Sequence, residues 1–585
     1  MISIQKKLMF LCVCFMGILI NISHANTQPL PIITHQEEID LELFESQSPD
    51  SKSLFEILDR TVTAKGREAL KALLKNPLTD PTLLEQRKQI IKYIIENPEI
   101  LEHLDKALQV FKKHEQTLDN FWQPQDSICK TTLENFYFTN KHLTRLNESP
   151  KHLNLLQITH TLSLFAPIIE HAVLHWLISD KIKSKYHIGC GHDHSHDHDH
   201  ENWGTTAKVL YNIYWYAHWA VHLYGLKTVY DHIKQKLTVS KELQSQVISA
   251  NKCLESLKTI YTVTKDHSSI SQKLVSFNKL ETLFTATEKQ STQLQTIMAK
   301  DTFQGNPSLM SNVGNILAAH KEIKDATIFH QALQALGEID AYVSIAKLYK
   351  EHSDHEACYS FAQYAASDKP HLEAVEFWNP YIGSQTCSTN NLELGIHNPN
   401  TIIITGPNLA GKSTNLKSLA LIVLLGQTFT IVPATHACFT PFAKITTSIK
   451  HSDNTQEGTS LFTAELIKAN DFIDMLQNKL SSSQFSFVIF DELFKSTSYE
   501  KGQETAYNLI KYLGKFKNNM CIVSTHFPKL TTLESADSSL FINYTATTTK
   551  DTKNQTHFVL KEGSSSASQS FDVLEEQGIQ GIWNS

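Results

Sequence analysis

Arginine is nearly absent from this chain, and its scarcity limits the chemistry that the chain can supply. Only Arg60, Arg67, Arg87 and Arg145 occur among the 585 residues. Any cationic side chain that the region after Arg145 offers to a phosphate must therefore be a lysine, which presents a point charge instead of a planar fork.

An excess of positive charge and a paired cysteine spacing are also lacking. The formal net charge is −7, so no overall basic field attracts nucleic acid, although a local basic surface is compatible with this balance. Cys12 and Cys14 lie in an N-terminal apolar run, and the rest of the nine cysteines form no C-x-x-C pair. This pattern excludes a disulfide framework.

The length allows several domains, and residues 51–370 are predicted to form a mostly helical core. Apolar residues recur at three- and four-residue spacing from Ser53 to Arg87. Amphipathic segments rich in Lys, Glu, Gln and Ser run from Val229 to Thr287 and are typical of long helical arms with solvated faces. The polar residues 26–50 are expected to be a linker in front of this core.

Two apolar stretches stand out inside the helical region, at residues 153–178 and 209–226. The first contains Pro167 and Glu170, and the second is rich in Tyr and Trp. The interrupting Pro167 and Glu170 and the many polar aromatic residues favour two buried helices packed on each other. The alternative is a membrane hairpin, because about 18 residues is the lower limit for a span.

A histidine tract lies between these stretches, in a loop predicted at 187–201. Imidazoles and carboxylates together suit Zn²⁺, Ni²⁺ or Cu²⁺. The even spacing predicts weak binding in several modes; a flexible polar loop with incidental metal affinity is the alternative. The candidate ligands of a transition metal such as Zn²⁺ are His192, His194, His196, His198 and His200.

Two further histidine pairs, His171/His175 and His218/His222, have i, i+4 spacing and each lies on one face of a helix. Such pairs can bind metal. Since no third ligand is identifiable from the sequence, they are interpreted as core or surface histidines.

A glycine-rich loop follows the apolar run Thr401–Thr405 and opens into an apolar helical pattern from Leu416 to Leu425. The spacing G-x-x-x-x-G-K-[ST] between a strand and a helix is that of the phosphate-binding P-loop, with backbone N–H groups closing around the phosphates. Lys412 is expected on the phosphates and Ser413 on Mg²⁺. The nucleotide-binding candidates are Gly406, Pro407, Asn408, Gly411, Lys412, Ser413 and Thr414.

Two more apolar runs end in functional side chains. Residues 485–490 precede Asp491 and Glu492, and residues 520–524 precede Thr525 and His526. In open parallel sheets such residues meet at one edge. Asp491 is expected to hold Mg²⁺, Glu492 to activate the attacking water, and His526 to sense or position the γ-phosphate.

At these motifs the sequence resembles the MutS family of DNA mismatch repair ATPases, which are related to ABC-type ATPases. The P-loop stretch TGPNLAGKST at 405–414 looks like the family's own, and the segment 458–465 resembles a loop whose serine reaches the partner's nucleotide. Ser460 takes that position. SLFEILDRTVTAKGREAL at 53–70 and NPLTDPTLLEQR at 76–87 independently resemble the family's helical core.

The resemblance implies a multidomain protein. An all-α core with lever and clamp arms (51–370) would precede an α/β, ABC-like P-loop ATPase domain (371–585). It implies ATP and Mg²⁺ as cofactors and a homodimer with composite sites, in which Ser460 acts in catalysis with Glu492 and His526. It also implies DNA as a partner, as a clamp on mismatched or branched DNA.

Several features depart from the family pattern. The chain enters directly at the helical core, with no room for the mismatch-reading and connector domains, so recognition by insertion between base steps is not expected. Lys495 replaces an arginine after Asp491-Glu492, Asn379 replaces a histidine before Pro380, and Cys387 falls where an adenine-stacking aromatic is frequent. The phosphate and Mg²⁺ parts of the site are thus better matched than the base pocket.

Residues 1–25 are predicted to be a secretory signal peptide. Lys6-Lys7 precede the apolar run Leu8–Ile22, and small residues occupy the cleavage positions at 23–25. An uncleaved anchor is the alternative. A signal peptide predicts export, whereas an ATPase needs a compartment that contains ATP, so these two features conflict about where the protein is located. A rival hypothesis follows: an exported or membrane-associated scaffold, switched by nucleotide, that reads no DNA.

Overall fold

The structure, a computed structural model, describes residues 30–46, 48–122, 133–186, 201–286, 288–305, 307–308, 312–324, 328–384, 386–408, 410–449, 461–550 and 556–564. The signal peptide predicted at 1–25, the histidine tract from His192 to His200 and Ser460 lie outside these residues. Those three predictions therefore stay predictions.

The part of the chain before residue 352 is helical, as its periodicity indicates. The helices are α1 His35–Asp40, α2 Leu54–Leu58, α3 Ala64–Lys75, α4 Pro81–Glu96, α5 Pro98–Trp122, α6 Pro150–Ser163, α7 Ala166–Tyr186, α8 Glu201–Asp266, α9 Ser268–Ser271, α10 Phe277–Ala286, α11 Glu288–Met298, α12 Val313–Lys324 and α13 Ile328–Glu351. Short 3₁₀ turns occupy Thr144–Glu148 and Asp301–Phe303. At 66 residues, α8 is roughly 100 Å long and is a projecting arm.

Local capping explains where the first core helices begin. The hydroxyl of Ser53 accepts a hydrogen bond from the Glu56 N–H at 3.3 Å, while the Glu56 carboxylate accepts from the Ser53 N–H at 3.0 Å. This reciprocal pair is a capping box and satisfies donors that the first turn leaves unpaired. Thr63 caps α3 with a single bond, accepting from the Gly66 N–H at 2.9 Å.

Distant parts of the sequence interlock in this core. The buried carboxylate of Asp340 on α13 accepts hydrogen bonds from the backbone of Val62 at 3.0 Å and from the backbone and hydroxyl of Thr63, both at 2.7 Å. Burial raises the pKa of Asp340, and the hydrogen bonds from Thr63 and Val62 oppose that shift. Glycine at position 66 lets α3 and α13 approach closely, since a Cβ there would overlap the Asp340 side chain.

The preferred interpretation of residues 153–178 and 209–226 as buried helices is wrong. On α7, Ile169 and Trp176 are 60% and 65% exposed, and on α8 Tyr216 is 74% exposed. The segment Pro150–Lys181 is long and apolar enough to cross a membrane by composition, and 6% of its most apolar window is buried. The helices do pack on each other through a narrow seam. Their apolar side chains point outward, away from this seam.

The second half of the chain is built on strands. They are β1 Ser360–Phe361, β2 Gln363–Tyr364, β3 His371–Phe377, β4 Asn390–Gly395, β5 Thr401–Thr405, β6 Ile431–Val432, β7 His436–Phe439, β8 Phe442–Ser448, β9 Phe485–Asp491, β10 Asn519–Ser524, β11 Phe541–Lys550 and β12 Thr556–Glu562. Between them lie the helices α14 Lys412–Thr428, α15 Leu461–Asp474, α16 Tyr499–Leu513 and α17 Pro528–Ala536, with a π-helical turn at Met475–Lys479.

The main sheet has six strands in the order β12-β11-β5-β10-β9-β8. All neighbours pair in parallel except β12, which pairs antiparallel with β11. β5 and β9 are buried at every position, which is typical of parallel strands covered on both faces. A second sheet, in the order β2-β7-β3-β4, lies beside it.

The two halves meet at the C-terminal end of α14. The amide group of Gln427 donates to the carbonyl of Leu78 at 2.8 Å, and the Gln427 carbonyl accepts from the Leu78 N–H at 2.8 Å. The guanidinium of Arg87 donates to the carbonyl of Thr428. The segment before the helical core also contacts the second half, since Ile445 N–H donates to the Ile32 carbonyl at 2.8 Å.

Candidate functional site

The glycine-rich loop joins β5 to α14 at the edge of the main sheet. Gly406 and Gly411 have φ angles of 147° and 83°, which favour glycine. A Cβ at Gly411 would lie 2.6 Å from the ring of Phe558, so β12 packs directly against the loop. The chain needs glycine here for both its backbone conformation and its close approach.

Lys412 begins α14 and its side chain bends back over the loop. Its ammonium group is buried and donates to the carbonyls of Gly406 at 2.9 Å and Pro407 at 3.0 Å. Burial lowers the pKa of Lys412, and the nearby carboxylates of Glu492 and Asp491 oppose this shift. A cation held partly dehydrated at a helix N-terminus is suited to an anionic ligand.

Three parallel strands end beside this loop, and polar side chains at these ends lie close together. Ser524 at the end of β10 is in register with Ile404 on β5 and with Asp491 on β9. The Ser413 hydroxyl donates to Asp491 Oδ2 at 2.5 Å, and the Ser524 hydroxyl donates to Oδ1 of the same carboxylate. A carboxylate and a hydroxyl in contact are oxygen ligands of the kind that Mg²⁺ prefers.

Glu492 follows directly in a left-handed backbone conformation, with φ of 55°. Its carboxylate contacts His526 Nε2 at 2.9 Å and accepts from the Lys495 ammonium at 2.7 Å. The hydrogen bond from His526 is the main reason that the pKa of Glu492 is lowered to about 2, and the contact with Lys495 adds to the shift.

His526 Nε2 also lies 3.2 Å from the ammonium of Lys412. A single ring nitrogen either carries a proton and donates to Glu492 or carries a lone pair and accepts from Lys412. The imidazole thus links the loop lysine to the carboxylate, and the tautomer decides which partner it bonds.

A cavity of about 680 Å³ opens on the other side of the loop. Ser413, Thr414 and Lys417 line it together with Asn379, Pro380 and Tyr381, and the Asn379 amide donates to the Thr414 carbonyl at 3.2 Å. The Tyr381 ring lies 5.8 Å from the Lys417 ammonium. This aromatic side chain is absent from the sequence-based site, and Cys387 is not among the residues that line the cavity.

The structure places the sequence-derived candidates as follows. Seven of them gather around the loop and the strand ends: Gly406, Pro407, Gly411, Lys412, Ser413, Asp491 and Glu492, with His526 beside them. Thr414 lines the adjacent cavity, and Asn408 is exposed at the tip of the loop. Ser524 was missed, although a serine at the end of an apolar run beside Thr525-His526 was a usable signal.

Comparison with protein families agrees with both halves of the fold. A family model described as MutS domain III matches residues 39–346, which is more than half of the chain. The chain belongs to the MutS family. A second model, MutS domain V, matches residues 402–579 and so contains the loop and the strand ends, whereas Asn379, Pro380 and Tyr381 of the cavity precede the matched range.

The individual relatives are named as DNA mismatch repair proteins. The DNA mismatch repair protein MutS of Alkaliphilus metalliredigens is 24% identical over 512 residues, covering 85% of this chain and 53% of the relative. The DNA mismatch repair protein MSH3 of Meyerozyma guilliermondii is 24% identical over 540 residues, covering 86% and 52%. The MutS of Leuconostoc citreum is 35% identical over 174 residues, covering 30% of this chain and 19% of the relative. This MutS-family chain therefore spans about half the length of the first two relatives.

Proposed function

We propose that this MutS-family protein binds ATP with Mg²⁺ and hydrolyses it in an ABC-like P-loop domain, and that the cycle drives a DNA-binding clamp. The contact between Ser413 and Asp491 carries the proposal, because it joins the loop to a strand-end carboxylate at the place where Mg²⁺ and phosphate must meet. Lys412 would exchange its two carbonyl acceptors for phosphate oxygens. ATP and Mg²⁺ supply the electrophilic phosphoryl group; the chain orients it.

Glu492 is proposed to activate the attacking water. Its hydrogen-bond partners set its pKa and therefore its strength as a base. A general base works best when its pKa lies near the operating pH. The hydrogen bonds from His526 and Lys495 hold the pKa of Glu492 at about 2, so the carboxylate is ionised but weakly basic. Turning His526 towards a γ-phosphate would remove the larger of these bonds and raise the basicity of Glu492. The same movement of His526 would then sense the γ-phosphate and activate Glu492.

The base pocket is proposed to be the cavity beside Thr414. Tyr381 and Pro380 would contact the adenine, and Lys417 would lie towards the sugar. Tyr381 would then supply the aromatic contact that Cys387 does not provide.

The test of hydrolysis is Glu492→Gln in the full chain, with Glu500→Gln, an exposed glutamate on α16, as the matched control. We expect Glu492→Gln to bind a fluorescent ATP analogue as the unchanged protein does while steady-state phosphate release falls by on the order of 100-fold. Glu500→Gln should leave both unchanged. Turnover by Glu492→Gln at the unchanged rate contradicts the role.

DNA binding is proposed from the family and from the relatives' printed name, with mismatched or branched DNA as the clamp's substrate. The clamp would grip phosphates with lysines, since arginine is scarce. Affinity for a four-way junction should then fall steeply as salt rises, because bound counterions are released. Absence of binding at low salt would instead favour a nucleotide-switched scaffold.

A homodimer with composite sites is proposed on the family resemblance of Ser460. Mixing Ser460→Ala chains with Glu492→Gln chains tests it. If Ser460 acts on the partner's nucleotide, pairing the two inactive chains places an intact Glu492 opposite an intact Ser460 at one of the two sites. Partial recovery of phosphate release is expected; mixtures that stay as inactive as the separate chains argue against composite sites.

A lipid surface is proposed as the partner of the helical hairpin, which consists of α7 and residues 209–230 of α8. Its outward face is apolar along both helices, while its seam is polar. Exposed aromatic side chains, which favour membrane interfaces, cluster on one helix: Trp215, Tyr216, Trp219, Tyr224 and Tyr230. In a helix that packs against the core of a soluble protein, the apolar face points inward and the polar face points to solvent, which is the reverse of this arrangement.

Flotation of the full chain with neutral phosphatidylcholine vesicles tests this surface. We expect the unchanged chain to float and the double variant Leu174→Gln with Trp176→Gln to stay in the dense fraction. Leu83→Gln, at a residue of α4 that is 41% exposed, is the matched control and should float. An unchanged chain that remains with the soluble fraction excludes the lipid partner.

A further inference from the structure

The seam of the hairpin contains four histidines that the sequence shows only as two separate pairs. His171 and His175 on α7 face His218 and His222 on α8. His218 is 8% exposed and His171, His175 and His222 are half-buried, so the imidazoles face the seam although the apolar side chains lie outside. This placement inverts the usual distribution of polar and apolar residues.

The close approach of the helices brings the rings into contact. A Cβ at Gly225 would lie 3.2 Å from Ile168, so glycine allows α8 to pack tightly against α7 one turn from the histidines. The rings of His175 and His218 stack with centroids 3.5 Å apart, and those of His218 and His222 meet edge to face at 4.2 Å. His171 Nδ1 lies 3.4 Å from His222 Nε2.

The separation of the nitrogens fits a shared ion. Imidazole nitrogens bind Zn²⁺ at about 2.0–2.1 Å, so two of them at tetrahedral angles lie about 3.3 Å apart. The pair His171–His222 already has that spacing. One nitrogen from each of His171, His218 and His222 lies within 4.8 Å of the others, so all three imidazoles reach the same point in the seam.

A purely structural role accounts less well for this cluster. Nδ1 of His218 is buried and has no hydrogen-bond partner among the described residues. A buried polar atom left without a partner is destabilising, because it has lost its hydrogen bonds to water and gained none in return. A metal ion would take up such a lone pair, whereas a stack of neutral imidazoles leaves it unsatisfied.

We propose that His171, His218 and His222 form a binding site for a divalent transition-metal ion of the Zn²⁺ class, independent of the nucleotide site. His175, stacked on His218, fixes the orientation of that ring and is a positioning residue. Three imidazoles leave a fourth position for water or another ligand, which is the arrangement of an open site. Neutral imidazole suits Zn²⁺, Cu²⁺ and Ni²⁺ and disfavours Mg²⁺, so this ion would not compete for Asp491.

The test must separate this site from the histidine tract, which connects the same two helices in the sequence. In the full chain, His192, His194, His196, His198 and His200 are replaced by asparagine, and the protein is titrated with Co²⁺. Nitrogen ligands in tetrahedral geometry give Co²⁺ a strong visible absorption. We expect one Co²⁺ per chain to produce this band, and Zn²⁺ to displace it.

Ligand variants are then made in that background. His222→Ala and His171→Ala should each weaken Co²⁺ affinity by on the order of 100-fold, because even an indirect partner of a metal ligand contributes 10–100-fold. His232→Ala, an exposed histidine on the same helix, is the matched control and should keep the band. A band that survives both ligand variants unchanged, or that is absent from the tract-free chain, overturns the proposal.

A second measurement guards against variants that merely unfold the hairpin. Circular dichroism of His222→Gln should match that of the unchanged chain, and its ATP-analogue affinity should be the same. Zn²⁺ should raise the thermal midpoint of the tract-free protein and not that of His222→Gln, since an ion that binds only the folded state stabilises it. An equal rise in both proteins contradicts the assignment.

Discussion

His526 Nε2 lies 2.9 Å from Glu492 Oε1, and this contact is the main cause of the low pKa of the proposed catalytic carboxylate. We expect His526→Ala to remove the main cause of the low pKa of Glu492, so that it rises towards its ordinary value near 4.5. Because the histidine is also the proposed phosphate sensor, the maximal rate of phosphate release should fall by on the order of tenfold or more while ATP-analogue affinity stays within about twofold.

His526→Gln is the companion to that variant, since an amide can still donate to Glu492. It should retain more activity than His526→Ala. Equal rates for both variants and the unchanged protein, measured at saturating ATP, would remove His526 from the mechanism.

The same contact predicts how stability depends on pH. The pKa of Glu492 is lower in the folded chain than its ordinary value near 4.5, so its contribution is present above that pH and is lost as the pH falls towards about 2. Urea unfolding of the unchanged chain and of Glu492→Gln should show a difference in unfolding free energy at about pH 6 that shrinks by about pH 3. A difference that is constant over this window would show that the carboxylate gains nothing from its partners.

The 2.5 Å contact between Ser413 and Asp491 predicts a magnesium-dependent defect. Ser413→Ala should weaken binding of a fluorescent ATP analogue by about tenfold or more in Mg²⁺ and much less in EDTA, because the hydroxyl is the proposed ligand of the ion. Ser418→Ala, one turn further along α14, is the control. Loss of equal size with and without Mg²⁺ would assign Ser413 to folding of the loop.

Gly411 and Gly383 form a matched pair for testing the approach of β12 to the loop. Both have left-handed φ angles, of 83° and 85°, but a Cβ would meet the Phe558 ring only at Gly411, and nothing within 4 Å at Gly383. The backbone penalty of alanine is about 1–2 kcal/mol at each position. Gly411→Ala should therefore cost more unfolding free energy than Gly383→Ala, by about 1–3 kcal/mol for the overpacking. Equal losses in urea titrations would mean that Phe558 moves aside without penalty.

Substitution of Asp340, a buried residue of the helical core, is expected to have a large effect on stability. Its carboxylate accepts from the Val62 and Thr63 N–H groups and the Thr63 hydroxyl, and an amide can present only one oxygen to them. Asp340→Asn should destabilise the chain by about 1–3 kcal/mol, whereas Asp266→Asn, at an exposed aspartate, should change little. Comparable unfolding midpoints for both variants would contradict the importance of this buried acceptor.

The sequence predicts the strands and the strand-end residues well because their signals are local. An apolar run followed by Asp491-Glu492, or by Thr525-His526, needs no knowledge of distant contacts, and parallel pairing then brings the ends together. The outward apolar face of α7 was not predictable in the same way. Composition makes Trp176 a core residue by default, and only the three-dimensional position of the helix shows that it is exposed.

Contacts between distant residues were equally inaccessible. Nothing in the sequence near His171 identifies His218 and His222 as its neighbours, and Tyr381 joins the cavity only because the second sheet lies beside α14. The identity of such partners depends on packing between elements, which periodicity does not encode.

The hydrogen bonds of Gln427 give α14 a mechanical role. The helix has 17 residues, so it is a rod of about 26 Å with the glycine-rich loop at one end and Leu78 of the helical core bonded at the other. The same amide group is also bonded to Phe442 on β8, at 3.0 Å, so this end of the rod is clamped on two sides. A displacement of Lys412 along the helix axis would thus act directly on the turn between α3 and α4, because a continuous helix separates Lys412 from Gln427.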